Sequence, residues 1–349
     1  MTARNDRILL GVESSCDEAA CALVRGGRDV LANAVSSQID LHTRFGGVVP
    51  ELASRAHVEQ INSVIAQALQ AADVKPEDIS AVAVTHQPGL IGSLLVGLMA
   101  AKTLAWIWDV PLVGVNHVYA HAYAPALDDE PIDYPAVALI ASGGHTALYH
   151  CAGPIEMTLL GTTIDDAAGE AFDKVASILQ LGYPGGPVID NAAKEGDPKA
   201  VRFPRTLLKG QSLDFSFSGI KTAVLYHVNG VPGVTYDHPR GLEHFSQKEI
   251  YDVAASFQQA VVEVLTTKIR RAVEKTGAKT TLLGGGVAAN SALRAAAEIQ
   301  AQKLGCTLRR PPLKYCTDNA AMIAGLGYHY LQAGRTSDLA LSATATVRR

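Results

Sequence analysis

The chain has only five cysteines in 349 residues, Cys16, Cys21, Cys151, Cys306 and Cys316, and no two of them form a CxxC pair. Their odd number and scattered spacing exclude a disulfide framework, a zinc knuckle and a dithiol redox site, and fit reduced thiols. No apolar run approaches the ~20 residues that a membrane span needs. The stretch from Met1 to Leu10 passes from charged residues to a short apolar strand with no signal-peptide core. The expectation is a soluble, cytoplasmic protein without membrane contact. A basic surplus is also missing: 30 Lys and Arg against 34 Asp and Glu leave a formal net charge of −4. A chain with that balance holds nucleic acid only through a local basic face or together with a partner.

What the sequence does contain argues for a folded α/β protein. Hydrophobic residues make up 48% of the chain, which excludes disorder. The length exceeds that at which a single core stops growing, so two lobes of ordinary domain size are expected. The 31 glycines, about 9% against a usual ~7%, fall largely after apolar runs, where tight turns and ligand-cradling loops belong.

The segment Val115 to His121 places His117 and His121 four residues apart. On a helix both imidazoles share one face and reach a single divalent cation. Two nitrogen donors suit zinc or ferrous iron. The HExxH pattern of zinc proteases puts a general base beside the first histidine, but Val118 stands there, so a protease reading lacks its base. The competing reading is a pair of ordinary helix-face histidines.

Two segments share one plan. Ile8 to Val24 and Ala136 to Tyr149 each read as strand, small polar turn and strand, with Gly143 and Gly144 at the second tip. Such tips let backbone N–H groups approach an anion, and the competing reading of each is a plain hairpin. A third glycine element, Thr280 to Ser291, reads as a strand entering a glycine turn before a helix from Ala292 to Leu304. That junction suits a nucleotide, while Asn290 or Ser291 is also a natural helix N-cap. Between them, helix (Pro50 to Ala72), strand (Ile79 to Thr85), helix (Leu94 to Trp108) and strand (Pro111 to Val115) alternate, the pattern of an α/β fold. Gly182 to Asp214 reads as an inserted loop region that lines the site, and Gly230 to Gly241 as a surface excursion, bracketing an insertion over about 182–241.

Ten fragments in order, GVESSCDE, FGGVVPELASRAHVEQI, PGLIGSLLVG, VNHVYAH, ASGGHT, GEAFDKVA, YPGGP, LDFSFSGIKTA, GGGVAANSALR and CTDNAAMIA, resemble the bacterial TsaD family, the tRNA N6-adenosine threonylcarbamoyltransferases. The resemblance spans nearly the whole chain. It implies a two-lobed fold similar to actin, Hsp70 and sugar kinases, with a duplicated sheet core and a nucleotide cleft between lobes, here divided as 1–133 and 134–349. It implies transfer of the threonylcarbamoyl group from threonylcarbamoyl-AMP to N6 of the adenosine 3′ of the anticodon, in tRNAs reading codons that begin with A, with AMP released.

The same resemblance implies metal ligands at His117, His121 and Asp318, with Fe2+ expected and Zn2+ the alternative. An N-cap role is the rival reading for Asp318. Substrate-binding positions carry over to Ile140, Ala141, Ser142, Gly143, Gly144, Asp173, Gly186, Asp190 and Asn290. Without the family, Asp173 reads equally as a solvated partner of Lys174. Glu13, Asp17 and Glu18 in the first hairpin are candidates to orient the attacking amine or take its proton, with a turn role the rival for Asp17. Implied partners are tRNA, a smaller TsaB-like paralogue, a TsaE-like P-loop ATPase and a separate threonylcarbamoyl-AMP synthase. Two basic clusters, Arg202, Arg205 and Lys209, and Arg309, Arg310 and Lys314, are candidates for phosphate contact or for ordinary solvated surface. A glycoprotein-cleaving metalloprotease and an actin-like ATPase or chaperone module stand as the alternative readings.

Overall fold

The computed structural model describes residues 6–237 and 240–346. The chain forms two compact units, one built from the residues up to Ile132, Gly153–Met157 and those from Arg310 on, the other from Asp133–Ala152 and Thr158–Arg309.

The first unit opens with β1 (Ile8–Glu13), β2 (Glu18–Arg25) and β3 (Asp29–Ser37), then α1 (Ile39–Thr43) and α2 (Pro50–Ala72), β4 (Ile79–Gln87), α3 (Ile91–Ile107), β5 (Leu112–Asn116) and α4 (His117–Tyr123). β1 is buried at every position, as expected for a central strand flanked on both faces. It pairs antiparallel with β2, from Ile8 opposite Arg25 to Glu13 opposite Ala20, and parallel with β4, which pairs parallel with β5. The sheet order is β3-β2-β1-β4-β5. Helix α2 begins with Pro50 at its first turn and buries Ala53, His57, Ile61, Val64 and Ala68, the stripe that its apolar spacing predicts. Helix α3 starts three residues before the predicted Leu94. It carries large apolar side chains on its solvent side, Ile91, Leu95, Met99, Trp106 and Ile107.

The second unit repeats this plan with β6 (Ala136–Ala141), β7 (Thr146–Gly153), β8 (Glu156–Thr162), α5 (Ala168–Ile178), α6 (Gly185–Ala193), α7 (Ser218–Asn229), α8 (Gln247–Thr276), β9 (Thr280–Gly284), α9 (Ser291–Leu304) and β10 (Thr307–Arg309). Its sheet order, β8-β7-β6-β9-β10, matches that of the first unit position for position, with β6 antiparallel to β7 and parallel to β9. The sheet core is therefore duplicated. The thirty-residue α8 is held at its start by a capping box between Ser246 and Glu249.

Two expectations are corrected. The segment from Arg310 on, expected in the second lobe as part of 134–349, belongs to the first unit. Its helix α10 (Ala320–Gln332) is buried without a break from Ala320 to Tyr328, and a helix apolar on all sides has to be enclosed by other elements. The chain then adds a bridge from Ser337 to Leu112 on β5. The stretch read as loop over 182–241 contains two regular helices, α6 and α7. Glycine and proline hid α6, because Gly185 and Pro187 lie in its first turn, where proline fits without losing a hydrogen bond. No described helix is long and apolar enough to cross a membrane.

Candidate functional site

The first constellation grows from the end of β5. Asn116 caps α4, its side-chain oxygen accepting from Val118 N and Tyr119 N, and so turns the strand directly into the helix that bears the two histidines. The imidazole rings of His117 and His121 lie edge to face with centroids 4.7 Å apart. Asp318 faces them: its Oδ1 is 3.1 Å from His121 Nε2 and 3.5 Å from His117 Nε2. The cap of α10 is Asn319, whose side chain accepts from Met322 N, so Asp318 is not needed for that purpose. Two imidazole nitrogens and one carboxylate oxygen, all within 4.8 Å of one another, form a donor set that fits a first-row divalent cation with coordination positions to spare.

Behind this set sits Glu13, fully buried at the end of β1. Its Oε1 accepts from Ser15 N at 2.5 Å, and its Oε2 from Thr85 Oγ1 at 2.6 Å and from His117 Nδ1 at 3.0 Å. Ser15 Oγ also lies 3.1 Å from that Nδ1. With Nδ1–H directed at Glu13, Nε2 is the atom presented to Asp318. Burial opposes charge on His117, but the carboxylates of Asp318 and Glu13 outweigh it and lift the group to about 9. Burial would raise Glu13, yet the His117 charge and its hydrogen bond hold the carboxyl below its usual range. Burial also keeps His121 low despite its bond to Asp318. The cluster thus holds more carboxylate than cationic charge, which favours a bound cation.

Among the three acids of the first hairpin the structure draws distinctions. Glu13 is enclosed and committed to protein donors, so it orients rather than meets substrate. Glu18 is pushed well up by burial and by the carboxylates of Asp318 and Asp17. Asp17 is partly exposed at the tip. Buried His57, from α2, braces the same turn through Nε2 to Cys16 O at 2.9 Å.

The second constellation lies within the second unit and closes into a ring of contacts. Ile140 and Ala141 end β6, buried, and Ser142 begins the turn, its N–H donating to His145 O at 2.7 Å. Gly143 and Gly144 at the tip are exposed, and open space surrounds the position of a Cβ on either. Gly169 N donates to Ser142 O at 3.1 Å, bringing the start of α5 against the hairpin so closely that a side chain at Gly169 would strike Ser142. Further along α5, Asp173 Oδ1 accepts from Gly185 N at 2.7 Å, which fixes α6 and leaves the neighbouring Gly186 with clear space. Lys174 turns instead to Glu170 and Asp166. From α6, Asp190 accepts from Ser291 Oγ at 2.8 Å and from Ser291 N at 3.3 Å. Asn290 caps α9 through Leu293 N at 2.9 Å and donates its amide to Gln258 Oε1 at 2.6 Å. Gly285, at φ +85°, abuts Ala141 and closes the ring. Free backbone N–H groups at the hairpin tip, a helix start and two carboxylates in one ring suit a nucleoside monophosphate.

Of the basic positions, Arg205 is tied to Glu263 at 2.7 Å and Lys314 to Asp128 at 2.8 Å, so neither is a free surface cation. The orienting residues Ser15, Thr85 and Gln258 escape a reading of the sequence. Each stands outside a recognisable spacing and gains its role from strands or helices that meet only in the fold. Asn116 was detectable as an N-cap immediately before the helical histidines.

The sequence matches the TsaD family, described as tRNA N6-adenosine threonylcarbamoyltransferase, over residues 29–325. A protein of that name from Symbiobacterium thermophilum is 52% identical over 343 residues, covering 98% of this chain and 97% of its own length. One from Clostridioides difficile is 48% identical over 346 residues, covering 99% of each. Among solved structures, HypF in a phosphate- and nucleotide-bound form aligns with 98% of this chain and 47% of its own at a TM-score of 0.59 and 13% identity. Component A of the (R)-2-hydroxyglutaryl-CoA dehydratase of Acidaminococcus fermentans aligns with 94% of this chain and 100% of its own, at 0.53 and 16% identity. These two likenesses concern the fold, which is of the actin, Hsp70 and sugar-kinase type. On the family match and the near-complete relatives, this chain is a member of the TsaD family of tRNA N6-adenosine threonylcarbamoyltransferases.

Proposed function

We propose that the chain is the catalytic subunit that moves the threonylcarbamoyl group from threonylcarbamoyl-AMP to N6 of the adenosine 3′ of the anticodon, in tRNAs reading codons that begin with A. The adenine amine attacks the carbamoyl carbonyl carbon, the bond from that carbon to the phosphate oxygen breaks, AMP leaves and the amine loses one proton. That amine is a weak nucleophile because its lone pair is delocalised into the ring. Catalysis therefore depends on a good leaving group and on positioning, which can contribute on the order of 7 kcal/mol or more.

The observation that carries the metal dependence is the convergence of His117 Nε2 and His121 Nε2 on Asp318 Oδ1, with His117 locked from behind by Glu13. A ferrous ion held by these three residues, with zinc the alternative, would supply Lewis acidity toward the carbamoyl or phosphoryl oxygen. The adenylate is assigned to the ring of the second unit. The N–H groups of Gly143 and Gly144 are assigned to its phosphate, in the turn that Ser142 opens beyond Ile140 and Ala141, Asp173 and Asp190 to its ribose hydroxyls, and Gly186 and Asn290 to the nucleoside. Asp17, at the tip between β1 and β2, is assigned to receive the amine proton, with Glu13 and Glu18 in supporting positions.

A TsaB-like paralogue fits the apolar face of α3, whose Leu95, Met99 and Trp106 recur at helical spacing and are 46%, 56% and 72% exposed. A TsaE-like ATPase and a separate synthase for the adenylate complete the cytoplasmic set. The test is transfer of labelled threonine into a tRNA transcript from pre-formed threonylcarbamoyl-AMP, with this chain and the two partners. Label at the adenosine next to the anticodon supports the reading. No label on the tRNA, together with hydrolysis of ATP by this chain when both partners are left out, supports the ATPase alternative.

A further inference from the structure

A groove of about 580 Å³ in the second unit is lined by Lys199, Val201, Arg202, Arg205, Gln259 and Glu263. It involves none of the residues of the adenylate ring. Its floor is Gln259 and Glu263 on α8, and Asp252 and Ser256 precede them on the same helix face at spacings of four, three and four.

The segment 197–205 is pinned to that face at three levels. Asp197 N donates to Asp252 Oδ1 at 2.6 Å, Val201 N to Ser256 Oγ at 3.1 Å, and Arg205 Nε to Glu263 Oε2 at 2.7 Å. The groove is therefore built on a fixed ledge.

Its charge is one-sided. Glu263 is the single carboxylate in the lining, and both its oxygens are engaged, by Arg205 and by Gln259 Nε2 at 2.8 Å. Lys199 and Arg202 are exposed and their side chains make no hydrogen bond or ion pair among the described residues, so two positive charges remain unbalanced. On a chain with a formal net charge of −4, that is the local basic face its composition calls for. The groove and the adenylate ring share α8, on different faces of that helix. Gln258 holds Asn290 at 2.6 Å, and the next residue, Gln259, lines the groove. Gln258 and Glu263 are separated by about 7 Å of helix rise.

We propose that this groove binds the phosphodiester backbone of the tRNA, through Lys199 and Arg202, and so positions the acceptor beside the bound adenylate. The proposal rests on the transferase reading. Arg205 serves as the fixed wall, held by Glu263 and by Phe203 O at 2.7 Å.

The test compares wild type with a Lys199→Glu, Arg202→Glu double variant and a Lys199→Arg, Arg202→Lys control. The readouts are binding of a labelled tRNA transcript across a salt series and the KM values for tRNA and adenylate in the transfer reaction with partners. Neither native side chain is packed or bonded, so the variants should fold. The expected result is a roughly tenfold or greater loss of tRNA affinity, a salt dependence flatter by about 1–2 in log–log slope, a raised KM for tRNA and an unchanged KM for the adenylate, with the control close to wild type. Unchanged tRNA affinity and slope, in a wild type that transfers label, would overturn the groove and leave the transferase reading intact. A rise in the KM for adenylate instead would overturn it by assigning the cations to the nucleotide phosphate. A wild type that neither binds tRNA nor transfers label would overturn both.

Discussion

Glu13 Oε2 stands 3.0 Å from His117 Nδ1, in a site where Glu13 has no solvent exposure and His117 only 6%. His121 has no equivalent support, since its Nδ1 is buried without a hydrogen-bond partner among the described residues. The two histidines are thus held unequally, one by a carboxylate and one by packing. Glu13→Gln keeps the size of the side chain and removes its charge. It is expected to weaken metal binding by about 10–100-fold, the usual effect of losing an outer partner of a ligating histidine. Competition titration with a chromogenic chelator measures this directly, and metal affinity equal to wild type would remove Glu13 from the site.

Asp318→Ala and His117→Ala are each expected to abolish stoichiometric metal while the fold persists. The Asp318 side chain is 19% exposed and does not cap α10. Metal content by elemental analysis, with circular dichroism on the same samples, checks both halves. Retained metal in either variant would contradict the ligand assignment.

Asn290→Ala is expected to lower stability as well as adenylate affinity, because Asn290 both caps α9 and satisfies buried Gln258. Loss of such a cap costs about 0.5–2 kcal/mol, or a Tm lower by roughly 2–4 °C per kcal/mol for units of this size. A thermal shift measured with and without AMP separates the two effects. An unchanged Tm would show that the cap is dispensable.

His329 ties pH to stability. Its Nε2 lies 2.8 Å from the Tyr123 hydroxyl, which donates to Gly27 O at 3.0 Å, and burial, aided by the Arg28 charge, lowers His329 to about 4. An unfolded histidine takes up its proton near 6.5. Between those values the unfolded state binds more protons, so this contribution is complete above pH 6.5 and is lost as the pH falls toward 4. The loss is at most on the order of 3 kcal/mol. His329→Gln, which retains a donor for Tyr123, should flatten the dependence of the urea midpoint on pH in this window. A profile identical to wild type would contradict the assignment.

The sequence reveals those parts of the molecule that depend on local chemistry. Helix α2 has the predicted bounds because Pro50 opens it and its apolar residues repeat at 3.6, and the two hairpins stand where their small polar turns placed them. The pair His117 and His121 was visible from spacing alone. Helix α6 was not, because glycine and proline at a helix start look the same as a loop until the packing partner is known. Family resemblance was needed to bring Asp318 to the histidines across almost two hundred residues. The return of α10 to the first unit is equally non-local: an all-apolar helix shows that it is enclosed, and not by which strands. Glu13 read as an acid available for chemistry, and only Ser15, Thr85 and His117 around it reveal that it faces inward.

The central claim is that metal held by His117, His121 and Asp318 is required for threonylcarbamoyl transfer. The direct measurement is the initial rate of label transfer to the tRNA transcript, from pre-formed threonylcarbamoyl-AMP and with both partners, for wild type and Asp318→Ala after chelation and again after re-addition of Fe2+ or Zn2+. The account predicts that chelation stops transfer by wild type, that re-addition restores it, and that Asp318→Ala is inactive throughout. Full transfer by metal-free wild type, confirmed by elemental analysis, would contradict it.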